Sequence, residues 1–304
     1  MTPPVVLKFG GELIEDAARL NTIVAAIAAA VGGPRPHASL VIVHGGGREI
    51  DAALQAAGIE KRQVDGLRIT DADTLDVVVA VLAGRVNTRL VAALNSAGVA
   101  AVGLTGADAN CGLSRRAPAH RAVDGRTVDL GHVGIPTERS DARLLTTLVG
   151  AGFVPVVASI GVGEDGQLFN VNADLLAGHL AGRLDARRLV IAGATAGVLD
   201  GSGRTVERLE SSAIDQMVTS GTATAGMIAK LRACEQALAA GVGDVLIVDG
   251  RDGAAIAAAA SGAVPPSTTR VVATASVTRA PAAMPAAASA IARSGRDGIT
   301  ERQP

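Results

Sequence analysis

LVIVHGGGREID, residues 40–51, runs four aliphatic residues into His44, then into three successive glycines, then into polar residues at helical spacing. A strand that becomes a helix through three glycines gives up side-chain packing and accepts a larger backbone entropy loss. Such a turn serves where a ligand must approach the backbone closely or where φ must be positive. Unpaired N–H groups at a helix start, with the helix dipole behind them, favour an anion. Taken alone, the triplet also reads as a tight β–α turn with no ligand.

Similar junctions recur on either side. VVLKF (5–9) leads into Gly10-Gly11, and the run at 100–104 leads into GLTGAD (103–108). Short aliphatic runs at 5–9, 39–44, 100–104, 153–159, 188–193 and 244–250 read as strands buried on both faces. Between them, 16–31 and 73–94 carry helical periodicity, and Thr70 with Asp73 reads as the capped start of the second helix. Asp124-Gly125 and Asp165-Gly166 suit the tight turns of two hairpins. Ligands of open α/β sheets bind outside the carboxyl ends of the strands, where the glycine segments fall. The alternation predicts an open three-layer α/β/α sandwich with a mainly parallel central sheet. No internal repeat is visible. From 273 to 304 the period is lost to Ala, Pro, Ser and Arg, which reads as a disordered tail.

Composition narrows the function. A net charge of −1 and the absence of Trp and Tyr argue against nucleic acid as a partner. The apolar run in 22–33 is too short to span a bilayer, and no signal peptide precedes the first strand, so no membrane partner is expected. Cys111 and Cys234 read as reduced thiols of a cytoplasmic protein. The five histidines are scattered, and no metal site is expected. Neither G-x-x-x-x-G-K-[ST] nor G-x-G-x-x-G occurs, which disfavours a P-loop NTPase and a nicotinamide dehydrogenase. Lysines are only three: Lys8, Lys61 and Lys230. Lys8 interrupts an aliphatic strand just before Gly10-Gly11, which points to a site at that strand's end.

In order along the chain, KFGGEL, VIVHGGG, DGLRITDADTLD, LAGRVNTRLV, AVGLTGAD, LGHVG, VPVVASIG, FNVNAD, GVLD and AGMIAK resemble the amino acid kinase family, and within it the acetylglutamate kinases. The resemblance covers most of residues 4–260 and implies the amino acid kinase fold. It implies phosphorylation of the side-chain carboxylate of N-acetyl-L-glutamate by ATP in arginine synthesis, with Mg2+ carried on the nucleotide phosphates. Residues 1–180 would bind the substrate and form the dimer, and 181–272 would bind ATP. The resemblance assigns Gly46, Gly47, Arg68 and Asn170 to the substrate. Lys8 and Lys230 fall on the transferring phosphoryl group, Asp174 orients them, and Gly11 adds a backbone donor. Ala194, Thr195, Ala196, Gly197, Thr222, Gly226 and Met227 fall to the nucleotide.

Two departures stand out. Ala194 occupies a position where these kinases usually carry an aspartate, and 263–272 lacks their usual Gly-Thr ending. Two alternatives follow: a kinase for a related N-blocked acidic amino acid, such as an aminoadipate derivative, or a catalytically weak regulator that binds amino acids. Arginine-inhibited members carry an extra N-terminal helix that interlaces dimers into a hexamer. Only MTPP precedes the first strand here, so a homodimer that arginine does not inhibit is expected.

Overall fold

The structure is a computed structural model that describes residues 2–32, 39–122, 124–219 and 225–274. Its spine is an eight-stranded sheet. The order is Arg208–Glu210, Thr269–Val272, Val245–Asp249, Arg188–Gly193, Val5–Phe9, Leu40–His44, Val154–Ala158, Ala101–Thr105. All neighbours are parallel except Val245–Asp249 with Thr269–Val272. The expected mainly parallel α/β sheet is therefore present. Val5–Phe9 sits between strands that follow it in opposite directions along the order, so its carboxyl end opens onto a topological switch point.

Strands at the centre read as continuous aliphatic runs because helices cover both faces. Val5–Phe9, Leu40–His44, Val154–Ala158 and Arg188–Gly193 are buried along their whole length. Ala101–Thr105 differs from the expectation: it closes one edge of the sheet, and only Ala101 in it is buried. One core layer joins Val5, Leu7 and Phe9 to the helix Ala17–Val31, and the other joins Val6, Val41 and Val43 to the helix Ala173–Arg183. Helix Ala17–Val31 also packs against Gly253–Ser261, and the buried residues of the two include Ala26, Ala30, Ala259 and Ala260 beside Ile27 and Ile256.

The expected long helix is continuous from 72 to 96, but its middle turn, Ala80–Val86, is a π-helix. Among the described residues it is the one helix long and apolar enough to cross a membrane by length and composition, although a sheet lies against one side of it. Its cap is Asp71, whose carboxylate accepts the Thr74 N–H at 2.9 Å. Thr70 does not cap it. Its backbone is bridged in extended form to Gly131, its O accepts from His132 N, and its own N–H goes to Leu130 O. Asp16 caps Ala17–Val31, its side chain accepting the Arg19 N–H at 2.9 Å.

Both expected hairpins form. His120–Arg121 pairs with Thr127–Val128, and Ile160–Val162 pairs with Leu168–Val171. Gly125 and Gly166 take φ of 86° and 83° at their turns, values that favour glycine. The second hairpin belongs to a four-stranded sheet that continues through Val133–Pro136 to Ser114–Arg116. The second glycine of GLTGAD, Gly106, answers this layer. A Cβ on Gly106 would lie 2.3 Å from Ile160 O, so the backbone crosses too closely for any side chain. Of the tail expected at 273–304, residues 275–304 lie outside the described residues.

Asp71→Ala should lower the unfolding free energy by about 1 kcal/mol, and Asp73→Ala by clearly less, because only Asp71 satisfies a helix-end N–H. Urea unfolding of the two variants side by side measures this; equal losses would return the cap to Thr70 and Asp73.

Candidate active site

Two glycine turns meet at the switch point. A Cβ on Gly11 would fall 2.7 Å from Gly46 Cα, and one on Gly46 would fall 2.9 Å from Leu82 Cδ2. Each of these glycines is demanded by the packing of the other turn or of the π segment. Gly47 is different, because nothing lies within 4 Å of a Cβ built there. Gly45 N donates to Phe9 O at 3.2 Å. The N–H groups of Gly46 and Gly47, at the start of the ten-residue helix Gly47–Ala56, have no acceptor among the described residues. They are orphan donors with the helix dipole behind them.

Gly11, Gly46, Gly47, Lys8, Arg68, Asn170, Asp174 and Gly226 line one cleft of about 380 Å3. Arg68 stands on the hairpin of Gln63–Val64 with Leu67–Arg68. Its Nη2 donates to Gly47 O at 3.3 Å and to Asp51 Oδ1, and Asp51 also accepts from Lys61 Nζ at 2.8 Å. Burial pushes the Asp51 carboxyl up, but the hydrogen bonds from Lys61 and Arg68 outweigh it and hold the pKa below the usual carboxylate range. Asp51 therefore stays ionised and keeps Arg68 in place. The other terminal nitrogen, Arg68 Nη1, is buried with no hydrogen-bond partner. Asn170 Nδ2 donates to Thr70 Oγ1 at 3.1 Å, and Thr70 Oγ1 donates to Arg68 O at 3.2 Å. Asp51 and Thr70 are supports that the sequence reading missed. Asp51 lies one helical turn beyond the glycines, and that spacing was its only signal.

Lys8 and Asp174 are both nearly buried, with Nζ 2.7 Å from Oδ1. Lys230 Nζ approaches the other oxygen, Oδ2, at 3.8 Å. Asp174 lies in the first turn of Ala173–Arg183, where Asn172 accepts its N–H at 2.9 Å. Asp174, Gly178 and Gly182 repeat every four residues and so share a helix face. A Cβ on Gly178 would lie 2.6 Å from Ala233 O, and one on Gly182 would lie 2.5 Å from Ala240 Cβ. These glycines let the helix Ala225–Ala239 approach closely enough for Lys230 to reach Asp174. Removing Asp174 would leave a buried ammonium without a counter-charge, a change that costs several kcal/mol.

The segment assigned to the nucleotide leaves the strand Arg188–Gly193 beside Lys230. A Cβ on Gly193 would lie 3.5 Å from Lys230 Cε. Ala194 and Thr195 are exposed, Ala196 is half-buried, and Gly197 is buried with φ of 69°. None of the four lines the cleft. Met227 packs against the core, and Thr222 lies outside the described residues. Among the described residues no group of three or more His, Cys, Asp or Glu is placed to hold a metal ion. Cys111 and Cys234 are free and buried, and burial pushes the Cys111 thiol up to about 12.

The profile of the amino acid kinase family matches residues 3–249. The chain belongs to that family. A curated acetylglutamate kinase of Methanopyrus kandleri is 41% identical over 80% of this chain and 94% of its own length. Another, of Acidiphilium cryptum, is 44% identical over 69% of this chain and 72% of its own length. Among solved structures, smu.665 of Streptococcus mutans superposes with a TM-score of 0.71 at 27% identity, covering 90% of this chain and 99% of that one. Membership accounts for the shared sheet, with the glycine turns placed where its central strands end.

Two buried histidines make stability depend on pH. Burial lowers His44 and His179 from 6.5 to about 4. The unfolded chain therefore binds more protons between pH 6.5 and 4, and the folded state loses stability as pH falls through that window. The loss is on the order of 3 kcal/mol per histidine across the whole window. Urea unfolding at steps from pH 7 to 4 should show this decline, and His179→Gln should flatten it by close to one proton. An unchanged slope in that variant would contradict the burial assignment.

Proposed function

We propose that this chain transfers the γ-phosphoryl group of ATP to the side-chain carboxylate of N-acetyl-L-glutamate, in cytoplasmic arginine biosynthesis. The products are N-acetyl-L-glutamyl 5-phosphate and ADP. One observation carries the site assignment. Lys8 and Lys230 flank Asp174 beside a cleft whose other walls include Gly46 and Gly47, with their free N–H groups, and Arg68, whose Nη1 has no protein partner. The relatives named acetylglutamate kinase support the substrate.

The chemistry needs no general base. A glutamate-type carboxylate has a pKa of about 4.3 and is already ionised near neutrality. One of its oxygens attacks the γ-phosphorus in line, the bond to the β–γ bridging oxygen breaks, and ADP leaves. The protein's work is positioning and charge stabilisation. Lys8 and Lys230 bring positive charge to the phosphoryl oxygens, Asp174 fixes their separation, and Gly11 adds an N–H donor. Gly46 and Gly47 hold the acidic substrate by their N–H groups, and the absence of a side chain on Gly47 leaves room for it. Arg68 grips the α-carboxylate through Nη1. Asn170, whose Nδ2 is engaged by Thr70, turns Oδ1 towards the acetamido N–H.

Residues 181–272 serve ATP through Ala194, Thr195, Ala196, Gly197, Thr222, Gly226 and Met227, and 1–180 serve the substrate. Mg2+ travels with the nucleotide phosphates and neutralises charge there. The chain works as a homodimer. On the helix Ala72–Ser96, Ala80 and Gly84 are exposed, and these small residues suit close approach by a second copy.

A coupled ADP-release assay with acetylglutamate, acetylaminoadipate, glutamate and aspartate tests the reading. Acetylglutamate should give the highest kcat/KM; a preference for acetylaminoadipate would instead favour a drifted substrate, consistent with Ala194. Lys230→Ala should reduce kcat by a factor on the order of 10² with the fold retained. Arg68→Lys should raise KM for acetylglutamate far more than KM for ATP, since lysine cannot offer a guanidinium fork. Equal effects on both substrates would place Arg68 outside the carboxylate site. Light scattering should give twice the chain mass; a monomer would contradict the pairing of the long helices, and a hexamer would contradict the homodimer.

A further inference from the structure

His44 is completely buried beneath the first peptide of the glycine turn. Its Nδ1 lies 3.0 Å from Gly45 O, and its Nε2 lies 3.0 Å from Asn87 Nδ2. The same Asn87 nitrogen lies 2.9 Å from Val156 O. These three contacts determine one another. A backbone carbonyl only accepts, so the Asn87 atom facing Val156 O must be the NH2 group. The second hydrogen of that NH2 points to His44 Nε2, which must accept it. A neutral imidazole that accepts at Nε2 carries its proton at Nδ1 and donates it to Gly45 O.

The peptide plane follows from the tautomer. In a trans peptide the C=O and the next N–H point in opposite directions. With Gly45 C=O held towards the buried imidazole, Gly46 N–H points away from it, towards the cleft. Burial of His44, which lowers its pKa to about 4, keeps the ring neutral near pH 7. Two surrounding features serve the same arrangement. Asn87 is the first residue after the π turn Ala80–Val86, and two residues of that turn, Leu82 and Val86, press on Gly46. A Cβ on Gly103 would lie 2.2 Å from Asn87 Oδ1, so the glycine on the neighbouring edge strand makes room for the amide. π-turns often mark functional positions in this way.

We propose that His44 and Asn87 are positioning residues that lock the Gly45–Gly46 peptide with its N–H aimed at the acidic substrate. The proposal rests on the reading above that Gly46 N–H binds acetylglutamate. Neither side chain touches substrate. Their effect passes through one peptide plane, which without the His44 hydrogen bond is free to rotate and turn a carbonyl oxygen towards a carboxylate.

Two measurements test it. Nitrogen NMR of the 15N-histidine-labelled full chain at neutral pH reads the tautomer with no substitution. A protonated Nδ1 with an unprotonated Nε2 is expected for His44, and the opposite tautomer overturns the proposal. Kinetics then compare His44→Leu with His44→Asn, whose Nδ2 stands near the place of Nδ1 and keeps a donor for Gly45 O. His44→Leu should raise KM for acetylglutamate about tenfold, the effect of one misplaced hydrogen bond, with KM for ATP little changed. His44→Asn should restore most of the loss. Equal rises in both KM values, or an Asn variant no better than Leu, would overturn the positioning role. If His44→Leu does not fold, the tautomer decides alone. Wild-type protein that fails to turn over acetylglutamate would remove the proposed function and leave the tautomer result standing. Normal turnover with the wrong tautomer would remove this inference alone.

Discussion

An ammonium group inside a central strand has to be answered by a carboxylate, and much of this structure follows from that requirement. Lys8 is nearly buried, and an unpaired ion there would cost several kcal/mol. Asp174 answers it from the first turn of a helix capped by Asn172, where the helix dipole favours a negative charge. The same carboxylate draws in Lys230, and for that the helix Ala225–Ala239 must come close. Gly178 and Gly182 permit the approach by carrying no side chain. One buried ion pair thus fixes a strand, two helices and the junction between them. The trio of Lys8, Lys230 and Asp174 carries one net positive charge where phosphoryl oxygens would need it.

Much of the fold was readable from residue patterns. The aliphatic runs at 5–9 and 188–193 match their strands residue for residue, because strands covered on both faces carry an uninterrupted apolar signal. Hairpins at 124–125 and 165–166 were readable because positive φ selects glycine. The run at 100–104 carried the same apolar signal, but composition does not distinguish an edge strand from a central one. The π turn left no trace either. Residues 77–83 are apolar nearly all round, so a shift from four to five residues per hydrogen bond changes no visible period.

The site was legible at its chemically unusual points and silent at its supports. A lysine in an aliphatic run and three glycines in a row are improbable without a reason, and both reach the cleft. Asp51, Thr70, Asn87 and His44 are ordinary residue types whose importance lies in what they touch. Their partners stand 17, 100 and 43 positions away along the chain. No spacing rule links such pairs. The cap shows the same limit at short range: Thr70 and Asp73 had the right spacing, but an extended bridge to Gly131 had already committed the Thr70 backbone.

The alanine-rich joint between Ala17–Val31 and Gly253–Ser261 bears on how the strands around the switch point are held together. The first helix follows the lysine strand and the second follows the strand beside Arg188–Gly193, so the joint bridges the two sides of the switch point. Alanine gives up no rotamer freedom when buried, so this joint forms with little ordering of side chains. Beside the alanines, Ile23, Ile27 and Ile256 belong to the same core layer and add apolar burial. At Gly253 the helices come close, and a Cβ there would lie 2.9 Å from Thr22 Cγ2. The two sides of the switch point are thereby tied twice, once through the parallel ladder of Val5–Phe9 with Arg188–Gly193 and once through close-packed helices on one face of the sheet.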